Sequence, residues 1–251
     1  MGAAEALAIL AAATAAGGVN AAAGSGSLIT FPTLLAFGFP AVTANVSNNV
    51  GLVPGNVSGA FGYRRELAGQ RGTLLGLGAF AAVGSLAGAI LLLSLPARAF
   101  TLIVPVLILV ACVLVIIQPR LNARMAARRD GRPVRGRPAL AGGVFVSGAY
   151  GGYFGAAQGV LVIGLLGSFL DDDLQRINAA KNILVAIVNA MAAVVFLLFA
   201  QVNWVVVLLI AAGSAAGGLL GARVGRRLPP AALRIFVVLI GVVSAAKLIF
   251  F

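Results

Sequence analysis

Apolar residues fall in long blocks along the chain, separated by short polar or glycine-rich breaks. The runs Gly72 to Leu95, Phe100 to Ile117, Ile183 to Ala200 and Trp204 to Ala222 each approach the roughly 20 residues a helix needs to cross a ~30 Å hydrocarbon layer. They are apolar on every face and lack the alternating ten-residue stretches of a barrel, so the pattern predicts transmembrane helices. In order, it gives a Gly-broken segment over 3–37, spans over 40–62, 73–94 and 98–117, and a loop over 118–138. A second Gly-broken segment covers 139–170 and is followed by spans over 174–200, 203–222 and 230–250.

The second half repeats the first in its residues as well as its blocks. Asn45, Asn49 and Asn56 recur with identical spacing as Asn178, Asn182 and Asn189. Gly84-Ser85-x-Ala87-Gly88 recurs as Gly213-Ser214-x-Ala216-Gly217, and Leu95-Pro96 as Leu228-Pro229. Three motifs in one order indicate an internal duplication, which is common in transporter folds. Residues 1–117 form the first transmembrane repeat, 118–138 a basic cytoplasmic linker, and 139–251 the second repeat.

Basic residues give the orientation. Loop 63–72 carries Arg64, Arg65 and Arg71, whereas its counterpart around Gln201–Asn203 carries no charge. Loop 95–99 carries Arg98 alone, while its counterpart has Arg223, Arg226 and Arg227. Equivalent loops thus have opposite basic bias, as inverted repeats require under the positive-inside rule. The expected fold is all-α and membrane-integral, with two inverted repeats, each a Gly-broken re-entrant or hairpin segment plus three transmembrane helices. The pieces 139–152 and 157–170 are each ~21 Å long at 1.5 Å per residue, too short for separate spans. Residues 3–22 are long enough to cross alone, so the first half fits this plan less closely.

Composition agrees that the solvent is lipid. The chain is 61% hydrophobic and 10% charged, with a mean hydropathy of +1.08, where soluble domains are roughly a quarter charged. The net charge of +12 could suggest nucleic acid, but Arg120, Arg124, Arg128, Arg129, Arg132, Arg135 and Arg137 all lie at the linker. That is a topology signal, without the aromatic interleaving of a nucleic-acid surface. The one cysteine, Cys112, sits in a span and histidine is absent, which removes disulfide frameworks and Cys/His metal sites. No basic n-region precedes the first apolar segment, so that segment is expected to stay in the mature chain.

The chemistry should sit at the breaks and on the asparagines. The breaks are Gly24-Ser25-Gly26-Ser27 and Gly151 to Gly159, including Gln158. Glycine permits a reversed backbone, and the half-helix that follows starts with unpaired N–H groups and a positive dipole end, suited to an anion. The plainer role for such glycines is close helix packing. Offsets of 0, 4 and 11 residues fall within about 40° of one another around a helix, so Asn45, Asn49 and Asn56 form one stripe. Asn178, Asn182 and Asn189 form another. Polar stripes avoid lipid, and interior ones either bond neighbouring helices or line a substrate route.

Lys181 lies on the edge of the second stripe, and its counterpart is the neutral Asn48. An ionisable residue within a span costs about 2.5–3.5 kcal/mol on insertion scales. It either contacts an anion or snorkels toward the interface and Asp171-Asp172-Asp173, whose own expected role is to cap the next helix. No Asp or Glu lies deep in a span, so the usual proton relay is missing, as are an ATP-binding loop and a hydrolase constellation. The chain is therefore expected to be no enzyme and to need no cofactor and no catalytic metal. Sodium held by asparagines and carbonyls stays open as a coupling ion.

These residues resemble the TauE/SafE sulfite-exporter-like membrane transporters. The likeness lies in the Gly24–Ser27 break followed by Pro32, the Phe37-Gly38-Phe39-Pro40 turn, the Ala44–Asn49 helix start and Gly62-Tyr63-Arg64, with the plan repeated in the second half. The resemblance implies a multi-pass protein of the bacterial inner membrane that moves sulfite, sulfonates or related small organic anions, usually outward. The Ser25, Ser27 and Ala156-Ala157-Gln158 insertions in the glycine tracts depart from the pattern and leave the ligand open. An anion channel and a carrier of non-sulfur carboxylates are the competing readings. The expected partners are a small anionic substrate and the lipid bilayer, with a homodimer left open and nucleic acid excluded. The expected substrate-binding residues are Gly24, Ser25, Gly26, Ser27, Asn45, Asn49, Asn56, Gln158, Gly159, Asn178, Lys181, Asn182 and Asn189.

Overall fold

A computed structural model describes residues 1–127, 137–224 and 230–250. Its elements are α1 (Ala3–Ala23), α2 (Ser27–Ala36), α3 (Ala41–Gly62), α4 (Arg71–Ser94), α5 (Ala97–Ala127), α6 (Arg137–Tyr153), α7 (Gln158–Phe169), α8 (Leu174–Phe199), α9 (Trp204–Val224) and α10 (Pro230–Phe250). There is no strand among the described residues. Five helices are long and apolar enough to cross a membrane, within Ala3–Ala23, Arg71–Ser94, Ala97–Leu121, Leu174–Phe199 and Trp204–Arg223. The span expected over 40–62 is present as α3 but is not among them, because its seven Asn, Ser and Thr residues lower its apolarity. Its asparagines are buried against other helices, where polarity is tolerated.

The packing is arranged for lipid. Leu75, Phe80, Leu102, Val106, Leu198, Leu208 and Val243 point outward, while Gly, Ala, Ser and Asn fill the contacts between helices. Lipid tails are as apolar as leucine, so association comes from close backbone approach at small residues rather than from burying large ones. The repeated Gly-Ser-x-Ala-Gly motifs are these contacts. Gly213, Gly217 and Gly221 of α9 lie against Leu10, Thr14 and Gly18 of α1, and Gly84 and Gly88 of α4 lie against Phe145 and Ala149 of α6. In both pairs the residue numbers rise together, so the helices are parallel. Each half therefore packs its broken segment onto the fourth helix of the other half.

α3 and α8 carry the two asparagine stripes and pack on each other. Asn49 bonds Asn189, while Tyr63, at the end of α3, clusters with Ala179 near the start of α8. The numbering runs in opposite senses, so these two helices are antiparallel. α3 lies parallel to α9 through Gly51–Ile210, Gly55–Ser214 and Gly62–Ala222, and α4 lies beside α8.

Both broken segments double back. Gly26 sits against Ala16 and Asn20, which a continuing helix would have left behind. Gln158 donates to the Ser147 carbonyl at 3.1 Å, and the Tyr150 hydroxyl donates to the Ala156 carbonyl at 2.6 Å. α1–α2 and α6–α7 are thus helical hairpins, with tips at Gly24–Gly26 and Phe154–Ala157.

The linker is shorter than its composition suggests. α5 runs on to Ala127 and α6 begins at Arg137, so Gln118 to Ala127 extend a helix rather than forming loop. Polar residues lengthen the helix past the lipid boundary, where composition alone reads as loop. Arg128, Arg129, Arg132 and Arg135 lie outside the described residues, as do Arg226, Arg227, Leu228 and Pro229. At the head of α8, Asp173 caps the helix by accepting from the Gln175 N–H at 3.0 Å, and Asp172 pairs with Arg176. The acidic cluster therefore takes the capping role expected of it.

Candidate functional site

The two hairpin tips meet inside the bundle. The Gly159 N–H donates to the Gly24 carbonyl at 3.1 Å, and the two glycines touch through their backbones. Gly24 has φ +79°, the left-handed conformation that ends α1, with its N–H returned to the Val19 and Asn20 carbonyls. A side chain on either glycine would strike the other's main chain. Glycine at these breaks therefore serves both readings, a reversed backbone and close packing, at one place.

A helix leaves its last carbonyls unsatisfied and its C-terminal end partly negative. Here side chains from α8 and α5 answer the exposed end of α1. Lys181 Nζ donates to the Asn20 carbonyl at 2.7 Å and the Ala21 carbonyl at 3.2 Å. Asn178 and Asn182 each donate from Nδ2 to the same Ala21 carbonyl at 3.2 Å, and Gln118 donates to the Ala23 carbonyl at 3.1 Å. Lys181 is 0% exposed, and its stem passes Gly159. It therefore turns inward and does not snorkel to the aspartates. The tip contact and the hairpin carbonyls hold it.

The other half makes a matching bond. Asn45, the counterpart of Asn178, donates to the Tyr153 carbonyl at the end of α6 at 3.0 Å. Each asparagine stripe thus secures the opposite hairpin. The stripes also meet each other, since Asn49 donates to Asn189 at 3.4 Å. Asn56 accepts from Asn20, and Asn20 accepts from the Gly26 N–H at 3.4 Å. All six stripe asparagines are buried. Both asparagine stripes, Lys181 and the tip glycines are thus buried where the two hairpins meet α3 and α8.

Gln158 does not join Lys181; it turns toward α6 and covers Gly151. Ser25 is buried and Ser27 partly so, with the Ser25 and Gly26 carbonyls accepting from the Leu28 and Ile29 N–H groups. In α7 the first N–H groups are also engaged, from Gln158 to Gly155, from Gly159 to Gly24 and from Val160 to Ala157. The half-helix starts therefore supply a dipole more than free donors.

Free polar capacity sits on side chains instead. Asn49 Oδ1, Asn56 Nδ2, Asn178 Oδ1, Ser147 Oγ, Gln158 Oε1 and the Tyr153 hydroxyl are buried without a partner. A carbonyl has two lone pairs, yet three donors crowd onto Ala21. Three donors therefore share one acceptor here, while the Asn178 carbonyl oxygen beside them has no partner. Sequence reasoning missed Asn20, which binds both Asn56 and the tip, and the pair of Thr30 with Asn48. The signal for Asn20 was present, as a lone amide four residues before the first break.

Comparison with known proteins points to membrane transport. The family model described as "Sulfite exporter TauE/SafE" matches residues 9–248. The "Probable membrane transporter protein YfcA" of Escherichia coli strain K12 is 27% identical over 238 residues, covering 94% of this chain and 86% of the relative. A "Probable membrane transporter protein" of Haemophilus influenzae is 27% identical over 235 residues, covering 92% and 89%. No solved structure matches the chain.

Proposed function

The chain belongs to the sulfite exporter TauE/SafE family of multi-pass membrane transporters, and from that premise we propose that it moves a small anion outward across the bacterial inner membrane. Sulfite, a sulfonate or a related organic anion is the cargo, carried by a secondary transporter or uniporter. The observation that carries this reading is the convergence of three donors at the first hairpin tip. Lys181, Asn178 and Asn182 converge on one carbonyl, and no carboxylate bonds the lysine among the described residues. An anion supplies a further acceptor for these converging donors. Its test is a flux screen in proteoliposomes with sulfite, sulfate, thiosulfate, taurine, sulfoacetate and simple carboxylates. Saturable flux of at least one sulfur oxyanion or sulfonate is the expected result. Flux of none of the panel would exclude the reading.

The halves 1–117 and 139–251 are inverted repeats in this proposal. Support comes from the antiparallel contact of α3 with α8 and from the exchanged packing of α1 on α9 and α6 on α4. Positions 64 and 202 should then lie on opposite faces of the membrane. Single cysteines placed there, in a background lacking Cys112, are expected to react with an impermeant maleimide from opposite sides. Labelling from the same side rejects the inverted arrangement.

A further inference from the structure

We propose that Lys181 carries a proton together with the anion, making the movement an electroneutral co-transport of one proton per monovalent anion. This rests on the anion reading above and adds the coupling ion. The argument is a count of protons and acceptors around one nitrogen. Lys181 Nζ has two acceptors, the carbonyls of Asn20 and Ala21. A neutral amine holds two protons and fills both. An ammonium holds three, and the third finds no acceptor in the described structure.

No carboxylate bonds Lys181 Nζ among the described residues. Lys181 touches α1 and Gly159 of α7, and α8 packs on α3, α4, α6 and α7. The titratable groups those elements carry are Glu5 in the first turn of α1, Tyr63 at the end of α3, Arg71 on α4, and Arg137, Tyr150 and Tyr153 on α6; α7 has none. The aspartates Asp171, Asp172 and Asp173 lie at the head of α8, two to three turns away, and Arg176 about one and a half turns away. None of them bonds Nζ. One turn before Lys181, the buried Asn178 Oδ1 is an acceptor without a partner, and it does not bond Nζ.

The step balances simply. The amine takes a proton from water on one side, its nitrogen lone pair forms the new N–H bond, and the anion accepts that third proton as a hydrogen bond. On the other side the anion leaves, and the ammonium returns the proton to water. Neither redox chemistry nor a further reactant is needed. Because binding of anion and proton favour each other, anion affinity falls as pH rises, by up to about tenfold per unit while the free protein holds the amine.

The probe is methanesulfonate, which is ionised throughout the range and brings no proton of its own. Binding to the purified full chain is measured from pH 6 to 9 in weakly buffered detergent solution, with a pH dye reporting proton uptake. Uptake should rise toward one proton per anion bound as pH increases, while affinity falls. Lys181→Arg, whose guanidinium stays protonated, should take up none and should bind with pH-independent affinity. Methanesulfonate binding by the wild type without proton uptake across the whole range overturns the coupling and leaves the anion site standing. Failure of methanesulfonate, sulfoacetate and acetate all to bind overturns the anion site beneath it.

Discussion

Replacing Lys181 with alanine is expected to lower anion flux by about 10–100-fold. Hydrogen bonds to charged groups contribute about 1.5–3 kcal/mol, and each 1.4 kcal/mol is tenfold. Alanine also strips a donor from the Asn20 and Ala21 carbonyls at the end of α1, so some of the loss could come from a loosened hairpin. Two further variants separate the causes. Lys181→Met keeps a long stem beside Gly159 without donors or charge, and should remain as slow as the alanine variant. Lys181→Arg keeps both and should recover part of the flux. Proteoliposome flux of the best anion from the screen, normalised to folded protein, measures all three. Wild-type flux in Lys181→Met would mean that the nitrogen contributes packing alone.

The largest expected loss of stability is at Gly24. Alanine there meets a left-handed backbone at φ +79°, costing about 1–2 kcal/mol. It also meets the Gly159 main chain, and forced overpacking costs about 1–3 kcal/mol more. The sum predicts a melting temperature lower by roughly 4–20 °C, taking the 2–4 °C per kcal/mol of domains this size. Gly38 supplies the control. It has φ +81° but nothing near the place a Cβ would occupy, so Gly38→Ala should show the backbone part alone. Equal shifts in the two variants, read by thermal melting in detergent, would mean the tips do not bear on each other.

Much of this arrangement was legible before any coordinates. The apolar blocks locate the helices within a few residues, because a lipid solvent demands length and apolarity together. The repeated asparagines point to buried faces, since polar stripes have nowhere else to go. The glycine tracts locate both hairpin tips. What stayed hidden depends on partners distant in sequence. No pattern along the chain says that Asn178 and Asn182 reach the carbonyl of Ala21, or that Gln158 faces α6 and not the lysine. Lys181 shows the limit well. Its depth along α8 allows both an inward and an interfacial nitrogen, and only the hairpin end, some 160 residues earlier in the chain, decides between them.

The linker erred for a simpler reason. Arginine-rich sequence with few apolar residues reads as loop, yet α5 carries its helix ten residues past the last apolar run. Backbone hydrogen bonds need no apolar face once a helix has been nucleated.

The exchange of partners between halves has a consequence for synthesis. Gly17 rests on Ser214 and Gly18 on Gly221, so the glycine face of α1 has no companion until α9 has been made. At about 5–20 residues per second, the roughly 200 intervening residues take on the order of 10–40 s. During that interval α1 is in the bilayer with a bare small-residue seam and carbonyls that Lys181 has yet to reach. Helix α1 is thus completed by α9, and the nascent first half is the stage at which translocon or chaperone attendance would matter most.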